Sequence, residues 1–134
     1  MEQFKADLEA ATKKDITVDL FPAMQLGGAQ ENVDQTRSGA IFGTVIGAAF
    51  LSRTVPEISA LSVPFLFTSR EQAFRVVDGK VGKLIGERLE AKGFHLHGFM
   101  ELGSRNVSNN RQPIKTLTDF KGLKIRLQPD DIHL

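Results

Sequence analysis

With 134 residues, the chain is long enough for one compact domain, since domains typically run ~100–150 residues. Its 41% hydrophobic and 25% charged content excludes a disordered chain, and a net charge of +1 with no long block of either sign argues against a nucleic-acid partner. The absence of cysteine excludes disulfides, a reactive thiol and thiolate metal ligands; Trp and Tyr are also absent, which disfavours the flat aromatic platform of a sugar site and leaves small acids open.

Residues 1–5 carry no basic stretch leading into an apolar run, so no secretory signal is read there. Phe4, Leu8 and Ala11 fall at helical spacing and predict an amphipathic helix over 3–13. Ile16, Val18 and Leu20 alternate, which predicts a strand over 16–21 ended by Pro22. A loop over 22–28 leads to a helix over 29–38, with Gly39 as its stop. The apolar run 40–51 is too short to cross a bilayer, which needs ~20 residues. It reads instead as a buried parallel strand entering a short helix. Residues 56–67 form a loop-rich connection whose Leu61, Val63, Phe65, Leu66 and Phe67 suggest an aromatic and aliphatic core. Ser69 is placed to cap a helix through Val77, closed by Asp78 and Gly79. Val81, Leu84, Ile85 and Leu89 define a further helix over 80–92, with Gly93 beyond it. Phe94, Leu96 and Gly98 alternate with His95, His97 and Phe99, predicting a strand over 94–100. Strands alternating with helices indicate an α/β fold with a mostly parallel sheet.

No catalytic constellation is found. Phosphate-cradling glycine loops of the usual forms and Gly-x-Ser-x-Gly elbows are missing, so the chain is not read as an enzyme and no cofactor is expected. His95 and His97 could offer two metal ligands, but no third is placed by the sequence, and no metal site is assigned. His133 lies at the chain end and carries no role.

Chemistry is concentrated in 103–128. Leu123, Ile125 and Leu127 alternate with Lys124, Arg126 and Gln128, so the apolar set faces one way and Arg126 the other. Arginine presents a planar fork matched to a carboxylate and stays charged at physiological pH. Arg105 is a second such fork. Asn109 and Asn110 can hydrogen-bond a ligand or stabilise a turn, Asn110 being the candidate contact. Asp130 and Asp131 add negative charge close to this supposed anion site.

Four stretches together resemble the solute receptors of TRAP transporters, the tripartite, ATP-independent, periplasmic DctP family. They are Phe21-Pro22 with Gln25-Leu26-Gly27; Pro56-Glu57 with Val63-Pro64-Phe65-Leu66-Phe67; the helix end Val77-Asp78-Gly79; and Gly103-x-Arg105 followed by Asp119-Phe120-Lys121-Gly122-Leu123-Lys124-Ile125-Arg126. The resemblance implies a two-lobed, periplasmic-binding-protein-like α/β fold. It further implies that this chain is a fragment lacking a signal peptide, a first strand and a C-terminal half. Residues 1–102 would be part of lobe one and 103–134 the start of lobe two. The implied function is periplasmic: binding of a small organic acid through arginine–carboxylate contacts, and delivery to TRAP membrane subunits. Arg126 would be the carboxylate clamp, Arg105 a second contact, and Asn110 a polar one. Where this family often carries an acidic residue, Phe42 stands, which questions any contact from that strand. The alternative is a non-binding remnant that self-associates through an exposed sheet edge.

Overall fold

A computed structural model describes residues 1–128 and 132. The expectations placed on Asp130, Asp131 and His133 lie outside the described residues. The chain divides into two compact units, one of residues 1–46 and one from Gly47 onward.

The first unit holds α1 (Glu2–Ala11) and α2 (Ala29–Ser38). α2 starts where Glu31 turns back on its own N-terminus, its Oε2 accepting from the Gly28 amide at 2.6 Å. It ends at Gly39, whose φ of 77° is the left-handed conformation that glycine enters without cost. The preceding loop is tied to this helix by Gln35, whose Nε2 donates to the Leu26 carbonyl at 2.8 Å. Val33 is fully buried on its inner face.

The strand expected over 16–21 is not formed, and the reason is visible at Val18. Its amide donates to Glu9 Oε1 at 3.0 Å, and its carbonyl accepts from Lys5 Nζ. Side chains of α1 thus take both backbone groups that a neighbouring strand would pair. The Glu9 carboxyl is held below its ordinary range, chiefly by the Val18 amide and then, against the opposing effect of burial, by Lys5.

The second unit is built on a helical hairpin, α3 (Arg70–Val77) and α4 (Lys80–Glu90), preceded by short 3-10 helices at Ala48–Leu51 and Pro56–Ser62. Ser69 caps α3 as its position suggested, its hydroxyl accepting from the Gln72 amide at 3.2 Å. The two helices meet at Gly82: a Cβ there would overlap the Val77 carbonyl and press on the Phe99 ring. Val55 and Ile58 pack with Ile85 and Leu89 of α4 to form the core, and Leu51, Leu61, Phe94, Leu96 and Phe99 close around it.

Residues 94–100 and 123–128 are neither helix nor turn and form no ladder, and no strand occurs among the described residues. A strand is defined by a partner about 4.8 Å away, which a local sequence pattern cannot supply. Phe94 and Leu96 do face the core as their alternation suggested, but Ile125 and Leu127 remain 44% and 47% exposed. The buried strand expected in the apolar run 40–51 is not formed, and Phe42 and Val45 are exposed, but the short helix that was to follow is present as the 3-10 turn Ala48–Leu51. The core role expected for Phe65 is also corrected. Leu66 N–H bonds the Val63 carbonyl at 3.3 Å, closing a turn with Pro64 second and Phe65 third at φ 61°. That third position normally takes glycine, and the geometry swings the ring outward to 98% exposure.

Candidate functional site

The segment 103–128 is held by its own polar side chains, since no residue in it is fully buried. Asn109 organises the first turn: its Oδ1 accepts from the amides of Arg111 and Gln112 at 2.8 and 3.0 Å, and its Nδ2 donates to the Gln112 carbonyl. Of the asparagine pair, Asn109 is therefore the turn former. Gln112 Nε2 then reaches the Asp119 carbonyl at 2.8 Å. Asp119 starts a short 3-10 helix, Leu117–Phe120, by accepting from the Lys115 and Thr116 amides at 2.9 and 2.8 Å and from the Thr116 hydroxyl. These donors hold the Asp119 carboxyl below its ordinary range, the Lys115 amide first.

Gly122, at φ 79°, then turns the chain into the stretch that bears Arg126. Arg126 is exposed and has no hydrogen bond or ion pair among the described residues. Arg105 is also exposed, and its Nη2 donates to Gln128 Oε1 at 2.6 Å. This bond joins residues 23 positions apart and brings Arg105 to the stretch that carries Arg126. Asn110 is exposed, and nothing ties it to either arginine among the described residues. Gln128 was the residue not singled out from the sequence. The available signal was its place two residues after Arg126, in a stretch whose alternation suggested one shared face.

Other candidate groups lie apart. His95 and His97 stack edge to face with centroids 5.1 Å apart, and His95 Nδ1 lies 3.3 Å from Glu90 Oε1. Among the described residues no group of three acidic or histidine side chains is arranged to hold a metal. An open groove of about 490 Å³ runs beside Arg53, Thr54, Glu57, Arg88 and Lys92, with Arg88 Nε 3.3 Å from Glu57 Oε1. None of the three candidate ligand residues lines it.

Two exposed arginines, Arg105 and Arg126, thus lie on one polar segment held by its own hydrogen bonds. The chain belongs to the DctP family, bacterial extracellular solute-binding protein, family 7, which it matches over residues 1–134. It is 38% identical over 133 residues to the 2,3-diketo-L-gulonate-binding periplasmic protein YiaO of Escherichia coli K12, covering 99% of this chain and 40% of that protein. In three dimensions it is similar to a TRAP periplasmic solute binding protein from Sulfitobacter sp. NAS-14.1 with bound β-D-galacturonate. The TM-score is 0.90 at 31% identity, over 95% of this chain and 42% of that one. A counterpart from Polaromonas sp. JS666, bound to D-erythronate, gives a TM-score of 0.89 at 29% identity, over 98% of this chain and 44% of that one. The chain thus spans about 40% of the length of these relatives, and its fold class is that of the two-lobed TRAP receptors.

Proposed function

We propose that this chain carries the acid-gripping part of a periplasmic TRAP receptor, which captures a small sugar acid or related carboxylate and delivers it to the membrane subunits. Arg126 grips the carboxylate with two parallel N–H···O bonds, Arg105 adds a second guanidinium, and Asn110 offers an amide to a hydroxyl. Residues 1–102 then belong to one lobe and those from 103 onward to the other, the lobes closing to exclude water. Diketogulonate, galacturonate and erythronate, named for three similar proteins, all carry a carboxylate. An acid of this kind is held by charge and hydroxyl contacts, so the lack of Trp and Tyr is no obstacle. The observation that carries the reading is the bond from Arg105 to Gln128, which gathers the second guanidinium onto the segment of the first.

The test is calorimetric titration of the full-length protein with D-galacturonate, D-glucuronate and D-erythronate. Arg126→Lys keeps the charge but loses the fork, and affinity should fall by at least about tenfold. Unchanged affinity in that variant sinks the role of Arg126.

A further inference from the structure

We infer that Gln128 is a positioning residue for acid binding: its side-chain amide fixes the guanidinium of Arg105 beside Arg126. The inference rests on the reading of Arg105 as a ligand contact. Arg105 is exposed, and a free arginine side chain samples many rotamers, so binding through it carries an ordering cost. The 2.6 Å bond from Arg105 Nη2 to Gln128 Oε1 removes part of that freedom before the ligand arrives. The acceptor is neutral, which matters. A carboxylate at 128 would hold the guanidinium equally well but compete with the incoming acid for its charge. An amide oxygen engages one N–H and leaves the others and the full positive charge available.

Two further features fit this role. Gln128 follows Arg126 by two residues, the spacing at which side chains of an extended stretch leave from one side. The guanidinium held by Gln128 is thereby delivered to the side from which Arg126 reaches. Gly47 lies against the same amide: a Cβ at 47 would come within 3.2 Å of Gln128 Nε2, closer than ordinary contact. The absent side chain leaves room for the amide to turn its oxygen toward Arg105.

The test is a double-mutant cycle in the full-length protein, titrated with D-galacturonate, D-glucuronate and D-erythronate. Gln128→Leu keeps the size but removes the acceptor, and should weaken the acid that wild type binds by about tenfold. In an Arg105→Ala background the same change should do nothing further, because there is no guanidinium left to position. A residue with a merely structural role would weaken binding equally in both backgrounds, and that result overturns the inference, as does unchanged affinity in Gln128→Leu. If Gln128→Leu does not fold, Gln128→Ser is read in its place by the same criteria. Failure of the inference leaves the effect of Arg126→Lys intact. Failure of wild type to bind any of the three acids overturns the functional reading, and the role of Gln128 with it.

Discussion

The α3–α4 hairpin buries apolar side chains almost completely, while the segment that bears the arginines buries none so fully. In the hairpin, Ile85 and Leu89 are almost wholly buried against Val55 and Ile58, and Gly82 lets the two helices touch. From 103 to 128 no residue is fully buried, and order comes from Asn109, Gln112, Asp119 and the Arg105–Gln128 bond. Apolar burial sets stability in the first region, and hydrogen bonds worth far less each set shape in the second. The division suits the receptor proposed above, in which the groups that would meet a ligand stay wet and the scaffold lies elsewhere.

The comparison breaks most readily at Ile85. Ile85→Ala removes a side chain with 2% exposure from the centre of the cluster, and should cost about 2–5 kcal/mol. A urea titration followed by circular dichroism measures it; the lack of Trp and Tyr makes intrinsic fluorescence a poor probe. A loss below about 1 kcal/mol would mean that this cluster is not the core. Gly82→Ala comes next. The added methyl meets the Val77 carbonyl, which is backbone and cannot rotate away, so overpacking should cost about 1–3 kcal/mol despite alanine's better helix propensity. A neutral or stabilising result would show that α3 and α4 do not approach this closely.

The same contrast explains what was legible in the sequence. α2 ending at Gly39 and α3 starting at Ser69 were readable because a cap depends on residues within one turn. The family was readable from motifs that run along the chain. Residues 16–21 read as a strand because alternation was the only available signal, yet Lys5 and Glu9 claim the backbone of Val18. Phe65 read as core because aromatic composition says nothing of turn geometry, and the turn at Pro64 places it outside. At the site, the guanidinium forks were legible as chemistry. The link from Arg105 to Gln128 spans 23 residues and was not, because only the folded chain brings the two together.

The smallest expected effect lies at Asp119 and sharpens the contrast in another way. Its carboxyl is held low by the Lys115 and Thr116 amides and the Thr116 hydroxyl. In an unfolded chain the group titrates near 3.9. Folding therefore prefers the charged form: the contribution is fully present above about pH 4 and is lost as pH falls through the lower folded value. The hairpin's buried cluster contains only Val, Ile and Leu; Glu71 in the first turn of α3 is also held low, by its own backbone amide first and then the Ser69 hydroxyl, but it lies outside that cluster. Below pH 4 the turn at 115–120 should loosen while the hairpin keeps its order. NMR titration of the Asp119 carboxyl, with amide exchange at Thr116 and Ile85 followed in parallel, reads both at once. An Asp119 midpoint at or above 3.9 would show that the three donors do not hold the carboxylate. Exchange rising equally at both sites would show that the two regions open together, and their separation into scaffold and binding segment would fail.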